Sequence, residues 1–122
     1  MKYAVVFPGQ GAQEVGMGKD FFDHYAASRA VFERSDDALG FSLSRIIFSG
    51  PDDELKKTEY AQPAILAMSM AVFRCLEEEK GVGFSPEFVA GHSLGEYTAL
   101  VASEALSLED GLRLVHLRGK LM

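Results

Sequence analysis

Residues 88–99, FVAGHSLGEYTA, decide how this chain is read. The apolar run Phe88-Val89-Ala90 ends in Gly91-His92-Ser93-Leu94-Gly95 and passes at once into the helical pattern of Glu96 to Ala102. A strand that hands over to a helix through a tight Gly-x-Ser-x-Gly turn is the setting of a nucleophile elbow, where a strained backbone pushes the serine hydroxyl outward. Gly91 and Gly95 carry no Cβ, so strand and helix can approach closely. The N–H groups that open the helix, Leu94 first, lack an intrahelical acceptor and point toward any oxyanion that forms beside Ser93. The competing reading of Ser93 is a helix N-cap, a common role for serine at this place.

Working outward, Lys2 to Phe7 (KYAVVF) is rich in β-branched and aromatic residues and stops at Pro8-Gly9, which predicts a buried strand ended by a turn. Glu87 to Ala90 is predicted as the second strand. The segment between them is patterned as helices and is far longer than a hairpin loop, so the expected fold is α/β with parallel strands. Asp20 to Leu39 carries Phe21, Phe22, Tyr25, Val31, Phe32 and Leu39 at helical spacing, with Gly40 as a stop, and predicts one or two core-packing helices. Ser42 to Phe48 reads as a short helix, and Gly50-Pro51-Asp52-Asp53 as a turn that starts another. From Pro63, the run AILAMSMAVF is apolar on every side, as a helix buried on several faces requires, with Met68 and Met70 as core filler. Gly81 and Gly83 are read as its close, and Ser85-Pro86 as a turn. No internal repeat, low-complexity segment or linker is found.

Composition narrows the function classes. The 122 residues fit one domain, and 48% hydrophobic content suffices for a core. A formal charge of -6 repels phosphate backbones and anionic lipid, so neither nucleic acid nor a membrane is an expected partner. No apolar run is long enough to cross a bilayer and the first residues lack a signal-peptide layout, so a cytoplasmic location is expected. The one cysteine, Cys75, falls in an apolar helical run and reads as a buried thiol rather than a nucleophile. The loop PGQGAQEVGMG invites a nucleotide reading but fails its patterns. After Gly9 and Gly11 the third glycine place is Glu14, and Gly18-Lys19 has neither the upstream glycine nor the following Ser or Thr of a P-loop. His24 has no second ligand at i+4, and no metal site is expected. Glu77-Glu78-Glu79 is read as a solvated helix end.

A nucleophilic serine needs a base. His92 adjoins Ser93 on a sharp turn, where consecutive side chains diverge, which leaves His24 and His116. The helix from Ser107, which forms a capping box with Asp110, can be drawn at about 100° per residue. Leu108, Leu112, Leu114, Val115, Leu121 and Met122 then share one face, and Glu109, Arg113, His116 and Lys120 the other, so His116 is expected to face solvent. Arg118 falls inside the apolar arc, where a charge must be paired. Its partner is either a carboxylate of the chain, Glu96 or Asp110, or the carboxylate of a ligand, which Arg can grip with two parallel hydrogen bonds.

Four ordered motifs, FPGQGAQ (7–13), AQPAIL (61–66), GHSLGEY (91–97) and RGKLM (118–122), resemble those of the malonyl-CoA:acyl carrier protein transacylases of fatty acid synthesis and the related acyltransferase domains of polyketide synthases. The resemblance implies an α/β-hydrolase-like acyltransferase domain that moves a malonyl group from malonyl-CoA to the phosphopantetheine thiol of acyl carrier protein. It does so through an ester on the elbow serine, here Ser93. It also implies that the backbone N–H groups of Gln10 and Leu94 form the oxyanion hole and that Arg118 binds the free carboxylate of malonate. Gln62 lies near the site in the family and is assigned no role. No cofactor is implied beyond the coenzyme A thioester as substrate. The family's catalytic histidine lies in a second half, after a ferredoxin-like subdomain. Residues 1–122 are therefore expected to be the N-terminal portion of the large α/β subdomain, with the C-terminal half as a further partner; the last helix ends on Leu121-Met122 without a Gly or Pro stop, in keeping with that. By itself the chain is expected to be inactive or to bind only. The other enzymatic reading is a serine hydrolase with the same elbow, which would admit water and have no need of Arg118.

Overall fold

The computed structural model describes residues 2–81 and 84–122. Strand β1 (Ala4–Phe7) pairs in parallel with β2 (Phe88–Gly91), in the register Ala4↔Phe88 to Phe7↔Gly91. Parallel strands require a long crossover, and the intervening chain supplies it as helices. These are α1 (Lys19–His24), α2 (Ala26–Leu39), α3 (Leu43–Ser49), α4 (Asp52–Leu55) and α5 (Thr58–Lys80). After β2 come α6 (Leu94–Ala102) and α7 (Leu108–Leu121). The architecture is mixed α/β, mostly helical, with a two-stranded parallel sheet among the described residues.

Local chemistry accounts for the boundaries. Tyr25, in extended conformation, separates α1 from α2, and Gly40 ends α2 with φ 77, a left-handed conformation that glycine adopts freely. The Ser42 side chain caps α3 by accepting from the Arg45 N–H, and the Ser107 side chain caps α7 by accepting from Asp110. Helix α5 closes at Gly81, whereas Gly83 lies outside the described residues. The core is built around α5, whose Ile65, Leu66, Met70 and Phe73 are buried against Phe32, Leu112 and Leu94 from the surrounding helices and Phe7 from β1. Cys75 is a buried free thiol, and burial pushes its pKa up, which makes it a poor nucleophile. On the sheet, Val5, Phe7 and Val89 face the helices, while Val6 and Phe88 on the opposite face are each 72% exposed, so the strand expected to be buried is covered on one face only among the described residues.

The last helix departs from the simple wheel. Its packed face is Leu108, Gly111, Leu112, Val115 and Gly119, whereas Leu114, Leu121 and Met122 are exposed. Two glycines, which an apolar wheel does not count, set this seam. A Cβ on Gly111 would lie 2.6 Å from Val101 Cγ2, and one on Gly119 2.6 Å from the Thr58 carbonyl oxygen. The same seam corrects the expectation for His116. It is half-buried rather than solvent-facing, with its ring centroid 5.2 Å from that of Phe41 and 6.2 Å from that of Tyr60.

Arg34 of α2 and Glu109 of α7 join their helices through two hydrogen bonds, Nε to Oε2 at 2.8 Å and Nη2 to Oε1 at 2.9 Å. The bond from Arg34 holds the Glu109 carboxyl below the usual carboxylate range. A depressed carboxyl pKa stabilises the fold above the unfolded value, and the stabilisation is lost as pH falls through the folded one. Because both side chains are partly exposed, at 52% and 32%, the pair is worth at most about 1 kcal/mol. Arg34→Ala should therefore lower unfolding stability by about 0.5–1 kcal/mol at pH 7. Denaturant titrations should show that difference shrinking below the ordinary carboxylate range; a difference undiminished in acid would reject the linkage.

Candidate functional site

Three backbone segments meet where β1 and β2 end, and three glycines make the meeting possible. A Cβ on Gly91 would lie 2.1 Å from the carbonyl carbon and oxygen of Gly95, and one on Gly95 2.3 Å from the Phe7 carbonyl oxygen. A Cβ on Gly9 would stand 2.8 Å from the His92 carbonyl oxygen and 4.0 Å from the Leu94 nitrogen. The Gly9-Gln10-Gly11 loop after β1 is thus laid directly against the turn between β2 and α6. Gln10 ties it to the start of α5, its Nε2 donating to Thr58 Oγ1 at 3.1 Å.

Ser93 occupies the apex of that turn with φ 55 and ψ -111. A side-chain-bearing residue in such a conformation costs on the order of 1–3 kcal/mol, which the surrounding packing must offset. The hydroxyl makes no capping bond to α6, so the N-cap reading does not describe it. Instead Ser93 is exposed, and its Oγ accepts from Arg118 Nη2 at 3.2 Å. At the start of α6, the Gly95 and Glu96 N–H groups bond back to His92 O and Ser93 O, each at 3.0 Å. The N–H groups of Leu94 and Gln10 have no acceptor among the described residues.

Arg118 reaches this place from α7. Its Nη1 donates to Gln62 Oε1 at 2.8 Å, and its guanidinium carbon lies 5.3 Å from the Tyr97 ring centroid, a cation–π distance. Among the described residues it forms no ion pair: Asp110 pairs with Arg113 at 3.3 Å, and Glu96 is not a partner. The internal salt bridge considered from the wheel is absent there. Gln62 is 0% exposed, and its Nε2 lies 3.1 Å from Met122 Sδ. Sequence reading left it without a role, although an amide at the mouth of the apolar run that follows Pro63 was a usable signal.

The structure thus brings together Ser93, Leu94, Arg118 and the loop that carries Gln10. It does not bring a histidine to the serine. His24 Nδ1 lies 2.8 Å from Asp20 O and His116 Nδ1 2.8 Å from Glu59 O, and among the described residues no histidine hydrogen-bonds Ser93. Nor do the described residues contain a cluster of three or more metal-ligating side chains, or a helix long and apolar enough to cross a membrane. The arrangement can offer a hydroxyl, two backbone N–H donors and a cation that forms no ion pair among the described residues.

Comparison with known proteins places the chain in a family. The model of the acyl transferase domain family matches residues 4–122. The malonyl CoA-acyl carrier protein transacylase of Haemophilus influenzae is 49% identical over 121 residues, which are 99% of this chain and 38% of that protein. The crystal structure of acyl-carrier-protein-S-malonyltransferase from Bartonella henselae matches with a TM-score of 0.92 at 52% identity, over 98% of this chain and 38% of the other. A malonyl-transacylase solved in complex with its type II PKS acyl-carrier protein also has a TM-score of 0.92, at 45% identity, over 99% of this chain and 38% of its own. The chain therefore spans 38% of the length of each of these relatives.

Proposed function

The chain belongs to the acyl transferase domain family, homologous to the N-terminal portion of malonyl-CoA:acyl carrier protein transacylases, and from that premise we propose that it carries the nucleophile and the carboxylate-binding side of such an enzyme. In this reading residues 1–122 belong to the large α/β subdomain, and the remaining length supplies a ferredoxin-like subdomain and the catalytic histidine.

The Ser93 oxygen attacks the thioester carbonyl of malonyl-CoA, forming a C–O bond, while the histidine of the remaining length takes the hydroxyl proton. Because Oγ already accepts from Arg118, its own hydrogen is free to be given to that base. Negative charge develops on the carbonyl oxygen and is met by the N–H groups of Leu94 and Gln10. The C–S bond then breaks, the proton passes to the coenzyme A sulfur, and a malonyl ester remains on Ser93. Attack by the phosphopantetheine thiol of acyl carrier protein reverses these steps and frees the serine. The solved complex of a relative with its acyl-carrier protein supports the choice of acceptor. The role belongs to fatty acid or polyketide synthesis.

The observation that carries the reading is Arg118: a half-buried cation without a carboxylate among the described residues, held 3.2 Å from a hydroxyl in strained conformation. The two carboxyl carbons of a malonyl group are two single bonds apart, about 2.5 Å, so one cation beside the nucleophile can grip the far carboxylate while the near carbonyl is attacked. A hydrolase of uncharged esters gains nothing from this placement. Incubating the complete polypeptide with malonyl-CoA, digesting it and weighing the peptides should locate a malonyl ester on Ser93. An acyl group on another residue, or none, would refute the assignment. The 122 residues alone should show no turnover, because an elbow without its base keeps only positioning and oxyanion donors.

A further inference from the structure

Helix α7 straddles the first turns of α5 with Gly119 at the centre of the seam, where a Cβ would lie 2.6 Å from the Thr58 carbonyl oxygen and 2.7 Å from Glu59 Cα. At about 100° per residue, His116 and Arg118 stand on opposite flanks of Gly119, about 60° to one side and about 100° to the other. Each flank is bonded to α5. Arg118 reaches Gln62 Oε1 at 2.8 Å, and His116 Nδ1 reaches the backbone oxygen of Glu59 at 2.8 Å.

The Glu59 oxygen is available for a specific reason. It would ordinarily accept the N–H of the residue four places on, and that residue is Pro63, which has none. The orphaned carbonyl, inside a helix, finds its donor in the imidazole of His116. The ring is further held beside Phe41 and Tyr60, so its orientation is set by packing as well as by the hydrogen bond.

We propose that His116 is a positioning residue: by latching onto the carbonyl that Pro63 frees, it fixes the roll of α7 about its own axis and thereby holds the Arg118 guanidinium in register with Ser93. Leu112, Val115 and the Arg34–Glu109 pair anchor the first part of α7, but around Gly119 there is no side chain to interlock, so there the two flanking bonds set the roll. A roll of about 10° moves a guanidinium held ~7 Å from the helix axis by roughly 1 Å. Misplacement of that order costs up to about 10²-fold in rate. A carbonyl oxygen can only accept, so the bond requires a hydrogen on Nδ1. The proposal rests on the reading that Arg118 binds the malonyl carboxylate.

The test compares His116→Leu and His116→Asn with the parent in the complete polypeptide, using malonyl and acetyl thioesters. Asn can place an amide N–H close to where Nδ1 stands, and Leu cannot. His116→Leu should lower kcat/KM about tenfold on the malonyl donor and less than twofold on the acetyl donor, and His116→Asn should recover most of the loss. Equal losses on both donors would reduce His116 to packing and overturn the proposal. If the Leu variant does not fold, nitrogen NMR of the parent decides: a hydrogen on Nδ1 upholds the latch, and a bare Nδ1 overturns it. Arg118→Ala is the companion measurement. If it shifts the malonyl-to-acetyl ratio and His116→Leu does not, the latch alone fails; if it leaves the ratio unchanged, the carboxylate reading fails and takes the latch with it.

Discussion

Arg118→Ala in the complete polypeptide should lower kcat/KM for a malonyl thioester by about 10²- to 10³-fold and leave the acetyl thioester within a few-fold of the parent. The magnitude follows from two charge-assisted hydrogen bonds, about 1.5–3 kcal/mol each, in a partly desolvated place. Three to four kcal/mol correspond to roughly that rate ratio. An acetyl group has no carboxylate and makes no such bonds, so its loss reports only on the architecture. Arg118→Lys should fall between, because an ammonium keeps the charge but cannot match a carboxylate with two parallel donors. The substitution also removes the partner of Gln62 Oε1, on a side chain that is wholly buried, and a stranded acceptor costs about 1–3 kcal/mol of stability. Steady-state rates on both donors, with the unfolding midpoint of each variant beside them, separate the two effects. Parallel losses on malonyl and acetyl thioesters would remove Arg118 from carboxylate recognition.

Among the described glycines, Gly95→Ala should be the most damaging after Gly91→Ala. The added Cβ would sit 2.3 Å from the Phe7 carbonyl oxygen and 3.2 Å from that of Pro8, both backbone atoms at the end of β1. A side chain can rotate away from a clash, but this clash is with the sheet itself, so relief requires α6 to lift from β1. That motion opens the elbow and separates the Gln10 loop from Leu94. A cost of about 4 kcal/mol or more is expected, the range reserved for overpacking without an escape. Gly40→Ala supplies the contrast. Nothing lies within 4 Å of its Cβ, and only the left-handed backbone, φ 77, opposes it, at about 1–2 kcal/mol. Thermal or denaturant unfolding of the two variants should differ by several degrees in midpoint. Similar stabilities would mean that the elbow is not held by close backbone approach.

The fold was legible where structure is local. Strands predicted at Lys2 to Phe7 and Glu87 to Ala90 are observed at Ala4–Phe7 and Phe88–Gly91, because apolar runs bounded by Pro and Gly leave little else to do. The first helices and their stop at Gly40 followed from spacing in the same way. The apolar run from Pro63 is observed as a longer helix beginning at Thr58, since a proline is tolerated within the opening turns when another group takes up the freed carbonyl. The wheel of α7 failed in an instructive manner. It ranked Leu114, Leu121 and Met122 as inward because they are apolar, whereas Gly111 and Gly119 decide the seam by letting backbones touch.

At the candidate site the division is similar. The amino-acid order by itself determined the turn, since a serine between glycines at a strand-to-helix junction is a covalent pattern, and the open Leu94 N–H comes from the helix start beside it, whereas the Gln10 N–H is brought there by the packing of the β1 loop. It also marked Arg118 as a charge in the wrong company. Only the tertiary structure decided what that charge meets. Its partners, Gln62 and Ser93, lie 56 and 25 residues away, and the carbonyl that His116 grips lies 57 away. Hydrogen bonds form over about 3 Å, and no pattern of neighbours along the chain sets a distance that the packing of α7 on α5 must close.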